Sequence, residues 1–207
     1  MSNVILTTQY FPCLEYFSHF YRTETVEIEQ FEHFQKGSYR NRCHIATANG
    51  VLALSVPLQR GKHSQLPIRE VKISNDAAWQ RLQWRTLYSA YGNAPFWEHY
   101  APHIEPFFLK KYDFLWDLNQ EIIEKCLKIL KIDAEKLQLT QNWLSNAEYT
   151  GGGDFRDQIS PKKESLAAHQ KYGQVFEEKN GFLPNLSLLD ALFCIGAPRT
   201  KEILINI

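Results

Sequence analysis

Neither sign of charge is in excess in this 207-residue chain: 23 Lys and Arg stand against 23 Asp and Glu, for a formal net charge of +0. Proteins that coat nucleic acid or adhere to anionic membranes carry a basic surplus, so no nucleic-acid partner is expected. Paired cysteines are missing as well. Cys13, Cys43, Cys126 and Cys194 are scattered singly, without the Cys-x-x-Cys spacing of a structural zinc site or redox motif, and they read as packed thiols. No stretch approaches the roughly 18 uninterrupted apolar residues that span a bilayer. The first seven residues also lack the basic start and apolar core of a secretory signal. The expectation is a cytosolic protein without membrane insertion, folded as a single domain over 1–207.

What is present is enough for a sizeable core: 44% of residues are hydrophobic and 14% aromatic. Residues 4–8 form a β-branched and apolar run, and Pro12 then opens a segment whose apolar positions suit a helix face. Val26 and Ile28 alternate with acids, as in a half-buried strand. Asn49-Gly50 predicts a hairpin over 43–57. Ile68, Val71 and Ile73 predict one more strand, ended by Ser74-Asn75-Asp76, which offer helix caps. Helical spacing runs from Trp79 to Tyr91, three prolines cut the next stretch, and 112–130 predicts the longest helix. Leu137 and Leu139 predict a last strand, and 186–195 a terminal helix with Gly196 after its end. The order implies an α/β fold with a mixed sheet in the N-terminal half and a largely helical C-terminal half, with α+β as the alternative.

Lys36, Arg40 and Arg42 place three cations within seven residues, in the turn from Glu32 to Arg42. Such a turn can grip a phosphate or carboxylate, Arg by its planar fork and Lys as a point charge. It can equally be a solvated loop whose cations pair with Glu24, Glu27 and Glu29. His99 and His103 have the i, i+4 spacing of two metal-binding imidazoles, but Pro102 intervenes and no Glu follows the first His; no metal is expected. Gly151-Gly152-Gly153 lacks the residues of a phosphate loop or dinucleotide fingerprint, so no cofactor is implied and the segment reads as a mobile lid or a plain linker. Trp79, Trp84, Tyr88, Phe96 and Trp97 can be core or a stacking surface.

Three separated blocks together resemble the WbqC-like protein family. The first is Tyr10-Phe11-Pro12 with Tyr16-Phe17, then Lys36 and Ser38-Tyr39-Arg40-Asn41-Arg42. The second is Trp79, Trp84-Arg85-Thr86, Tyr91, Asn93-Ala94-Pro95-Phe96 and His99-Tyr100. The third is Tyr172, Gln174 and Phe176, then Gly181-Phe182, Pro184-Asn185-Leu186-Ser187 and Leu189-Asp190, with Leu192-Phe193. Leu6, Thr7 and Thr8 stand where many relatives carry His-Gln-Pro, and Gln30 and Phe31 where an acidic pair is expected. The resemblance implies a role in bacterial surface-polysaccharide (O-antigen) synthesis, with glycyl or aminoacyl transfer onto a nucleotide-linked amino sugar. The alternative is a non-catalytic ligand-binding or scaffold protein of such a pathway. On the transferase reading, Tyr10, Lys36, Ser38, Tyr39, Arg40, Asn41, Arg42, Arg85 and Asn185 would hold substrate. Glu32, His99 or Asp190 would serve as base.

Overall fold

The structure, a computed structural model, describes residues 3–61, 66–145, 148–165 and 167–207; Met1 and Ser2 of the N-terminal stretch lie outside it. Val4–Leu6 (β1), buried along its whole length, pairs in parallel with Val26–Ile28 (β2), Val4 opposite Val26 and Leu6 opposite Ile28. Leu14–Arg22 (α1) connects them and buries Tyr16, Phe17 and Phe20 completely. The side chain of Asn185 caps this helix: its Oδ1 accepts the Glu15 N–H at 3.0 Å and its Nδ2 donates to Glu15 Oε2 at 2.9 Å. Leu137–Leu139 (β5) extends the sheet beyond β2, and Gly153–Asp154 (β6) pairs with the other edge of β1, giving the order β5-β2-β1-β6, all parallel. Arg42–Thr47 (β3) and Gly50–Ser55 (β4) form a separate antiparallel hairpin. Its turn occupies Ala48 and Asn49, and Gly50 supplies the positive φ of 91°. The fold is thus α/β, and its parallel and antiparallel pairings fall in two sheets.

The helices are Trp79–Tyr91 (α2), Trp97–Ile104 (α3), Pro106–Leu109 (α4), Leu115–Leu130 (α5), Glu177–Asn180 (α6) and Leu188–Asn206 (α7). Aromatic rings join them: Trp97 meets Phe193 at 4.7 Å and Trp84 at 5.2 Å, and Phe11 stacks on Phe108 at 5.8 Å. Trp79 and Trp97 are therefore core, while Tyr88 and Phe96 reach solvent.

Some expectations are corrected. Ile68–Glu70 is a 3-10 turn and not strand. Pro67 supplies no N–H there, and the residues that follow make only isolated bridges: Ile73 donates to Asp113 and Leu115 to Val71 on one side, Gln59 donates to Lys72 and Ser74 to Pro57 on the other. The glycine run is neither lid nor linker where Gly153 pairs opposite Val4 as an edge strand. The helix that begins at Leu188 does stop at Gly196 (φ 72°, ψ 165°), but a further helical stretch, not foreseen, follows it to Asn206. Ser74 and Asn75 do not cap α2, which starts at Trp79 after an uncapped Ala78.

A Cβ at Gly196 would meet the Phe96 ring at 3.0 Å in a backbone conformation that L-residues rarely adopt. Gly196→Ala should therefore lower the unfolding free energy by about 1–3 kcal/mol, read as an earlier midpoint in urea denaturation.

Candidate active site

The carboxyl ends of the parallel strands, where ligands bind in open α/β sheets, carry an ionic network rather than apolar side chains. Glu29, fully buried just past β2, accepts from Phe31 N–H at 2.8 Å and Thr140 Oγ1 at 2.9 Å through one oxygen, and from Arg156 at 3.1 Å through the other. Arg156 follows β6, binds Asp154 through Nε at 3.0 Å, and donates to the Leu144 carbonyl at 2.7 Å. The indole of Trp143 lies 4.7 Å from its guanidinium. Three residues after Glu29, buried Glu32 is held by both prongs of Arg40, Nε to Oε1 at 2.9 Å and Nη2 to Oε2. Asp157 stands 4.0 Å from Arg40 and accepts from Gln35 at 2.9 Å.

Four carboxylates thus surround two arginines. Burial pushes the Glu32 carboxyl up to about 7, Arg40 pulls against this, and the charges of Glu29 and Asp157 add to the rise. Each oxygen still has a second lone pair after accepting from Arg40. Glu32 lines a pocket of about 470 Å³ together with His33, Lys36, Trp143, Arg156 and Asp157.

A second pocket of about 480 Å³ adjoins it and shares Phe34 and Lys36. Its charged residues are Lys36, Arg42 and Arg60, all cations. Asn41 also lines it, anchored by Nδ2 to the Val56 carbonyl at 3.0 Å. Asn41 Oδ1 and Arg42 Nε are buried without a hydrogen-bond partner among the described residues, so one acceptor and one donor are left over beside this pocket. Gly37, between the two pockets, has φ 74°, and a Cβ there would collide with Lys162 Cε at 2.9 Å, so Lys162 also reaches this turn.

The residues singled out in the sequence fall into groups. Glu32, Lys36, Asn41 and Arg42 converge on the two pockets. Ser38 caps the 3-10 turn Tyr39–Asn41 and donates to Gln35 O at 2.6 Å, shaping the loop from within. Arg40 is buried against Glu32, not free for a ligand, and does not pair with Glu24, Glu27 or Glu29. Tyr10 is buried with its hydroxyl on Gln83 at 2.8 Å, and Tyr39 faces His44 at 3.4 Å. Asn185 is spent on capping α1. Arg85 is exposed on α2. His99 is exposed on α3, its ring 6.4 Å from that of His103, with no third metal-ligating group among the described residues.

Asp190 is fully buried and accepts from Tyr91 at 2.7 Å, Tyr172 at 2.6 Å and Gln174 at 3.1 Å. Burial raises its carboxyl above the usual range, and the hydroxyl donors oppose that. It joins three segments of chain and lines none of the pockets described here. Sequence reasoning missed Arg156, Asp154, Asp157 and Trp143, which lie in the stretch that reads as loop. No local signal marks them, since the two acids after β2, Glu29 and Glu32, are outnumbered by Lys36, Arg40 and Arg42.

Residues 8–150 match the WbqC-like protein family model. The chain belongs to that family. The uncharacterized protein Rv1507c of Mycobacterium tuberculosis is 25% identical over 220 residues, covering 93% of each chain. No solved structure matches. The matched span of this WbqC-like protein contains Glu29, Glu32, Lys36, Arg40 and Arg42, while Asp154 and Arg156 follow it. Among the described residues no helix is long and apolar enough to cross a membrane.

Arg40→Ala leaves Glu32 buried without its partner and should cost about 3–5 kcal/mol, whereas Arg40→Met combined with Glu32→Leu should recover most of that loss, as measured by chemical denaturation. Glu32 binds its proton more tightly folded, at about 7, than unfolded, at 4.5. Its contribution to stability is thus complete below the lower value and lost as pH rises through the higher one. The stability of the native chain minus that of Glu32→Gln should fall between those pH values and level off above.

Proposed function

We propose that this WbqC-like protein is an aminoacyl transferase of surface-polysaccharide synthesis, acting on an amino sugar that carries phosphate. The observation that carries this reading is the pair of adjoining pockets of unlike character sharing Lys36, one in which Glu32 and Asp157 stand beside Lys36 and Arg156, the other lined by the cations Lys36, Arg42 and Arg60 with no carboxylate. A phosphorylated amino sugar has the same polarity: an amine at one end and oxyanions at the other. Phosphate oxygens would lie against Arg42, Lys36 and Arg60, with Arg42 Nε–H as a preorganised donor. The sugar face would rest on Trp143, and the amine would enter the side of Glu32 and Asp157.

In the reaction the amine nitrogen attacks the acyl carbonyl of a small aminoacyl donor. The C–N bond forms, the bond from carbonyl carbon to the donor's leaving group breaks, and Glu32 takes the amine proton. A carboxyl titrating at about 7 is matched to that task near neutral pH. Arg40 is a positioning residue that holds the carboxylate in one orientation. A second reading, a non-catalytic ligand-binding protein of the same pathway, is favoured by the two-pronged grip of Arg40 on Glu32, which resembles a structural ion pair.

Lys36→Ala and Arg42→Ala should each weaken binding of a UDP-linked amino sugar by about 10- to 100-fold, the worth of a charge-assisted hydrogen bond, with the melting temperature little changed. Glu32→Gln should retain binding and lose transfer of a radiolabelled glycyl group. Unaltered affinity in Arg42→Ala would remove the phosphate assignment, and tight binding without turnover in the native chain would select the second reading.

A further inference from the structure

The helical side of the molecule holds another pocket, of about 440 Å³, where α3, the end of α5 and the resumed half of α7 meet. It shares no lining residue with the two pockets at the strand ends, and nothing in the transferase reading uses it. Its walls are apolar, formed by Ile129, Leu130, Ala197 and Pro198, and its charged residues are Lys131 and Lys201 with no carboxylate among them.

The fold fixes these groups in place. Lys131 ends α5 in the left-handed conformation (φ 55°), its backbone N–H bonded to the last turn, so its side chain leaves the helix at the pocket. Gly196 breaks α7, and the helix begins again at Ala197, bringing its positive dipole end to the same place. The first N–H of that new helix, from Ala197, donates to the Tyr100 hydroxyl at 2.8 Å. Tyr100 is buried and lines the pocket, and its own hydroxyl hydrogen has no acceptor among the described residues. One donor from a buried side chain is therefore unspent. The imidazoles of His99 and His103, on the same wall, make no hydrogen bond with any described residue and add four ring nitrogens.

We propose that this pocket binds an amphipathic organic anion, with one carboxylate or phosphate held by Lys131, Lys201 and the Tyr100 hydroxyl, and an alkyl or aryl body on Ile129, Leu130 and Pro198. Inorganic phosphate would leave the apolar walls wet. A neutral apolar ligand would leave the Lys131 ammonium and the Tyr100 hydroxyl unmatched, and Lys201 with only the Tyr21 ring 5.9 Å from its ammonium. A pocket of this volume suits a small organic molecule, and cations above an apolar floor match a charged head on an apolar body.

Isothermal titration of the full chain with octanoate, octyl phosphate, inorganic phosphate, octanol and octylamine tests this. Saturable one-to-one binding of octanoate or octyl phosphate is expected, and the tighter of the two tells whether the headgroup is carboxylate or phosphate. Lys201→Gln should weaken it at least about tenfold, as should Lys131→Gly, which suits the left-handed backbone. Thermal melts check that both variants are folded; if Lys131→Gly is not, Lys201→Gln alone decides. The proposal is overturned if neither anion saturates, if octanol, octylamine or inorganic phosphate binds equally well, or if Lys201→Gln binds like the native chain. Loss of glycyl transfer in the native chain would refute the transferase reading and leave this one untouched.

Discussion

Arg156, bonded at once to Glu29 and Asp154, is the interaction on which the arrangement of the strand ends depends. A strand of two residues such as β6 makes too few ladder hydrogen bonds to hold an edge. The guanidinium provides the missing attachment, because it spans from the residue after β2 to the last residue of β6, across β1. The same contact brings Asp157 and Trp143 beside Glu32 and so builds the pocket that holds the carboxylates. Buried charge of this kind contributes little net stability, since desolvation offsets most of the attraction. Its value is geometric: in this placement of the strands both oxygens of Glu29 and both of Asp154 have a donor.

A similar node organises the helical half. Asp190 takes hydrogen bonds from Tyr91 on α2 and from Tyr172 and Gln174 ahead of α6, and Tyr91 in turn accepts the Ala46 N–H from the hairpin. Both nodes hold a fully buried carboxylate at the end of an element, Glu29 just after β2 and Asp190 in the first turn of α7, satisfied by groups far away in sequence. Beside the first node Glu32 faces a cavity, whereas Asp190 faces none of the pockets described, and that difference separates a candidate base from a structural anchor. Two carboxylates of equal burial therefore have different prospects, and burial or a raised pKa alone would not tell them apart.

The local elements were largely legible. The β-branched run before Leu6, the alternation at Val26 and Ile28, the Asn49-Gly50 turn and the apolar spacing of α2 and α5 each reflect short-range physics, and each forms close to where it is expected. The misreadings share a cause. Ile68 to Ile73 looks like a strand because its residues favour extended backbone, yet no continuous neighbour is available to pair with it. The three glycines look like a hinge because nothing local holds them, yet β1 offers them a free edge.

The site divides in the same way. Lys36, Asn41 and Arg42 could be picked out because three cations in seven residues are conspicuous in any neutral chain. That Arg40 turns inward to Glu32 while Arg42 lines the cationic pocket could not, since the choice rests on which carboxylate the fold buries nearby. Sequence alone determined α1, α2, α5, the strands β1 to β5 and the existence of a charged turn, all of which are set by residues within a few positions of one another, and its three separated blocks pointed to the family. Tertiary structure decided the strand order, the partner of each arginine and the split of the site into two pockets, because those depend on electrostatic pairings between residues as far apart as Glu29 and Arg156, and no local pattern encodes them.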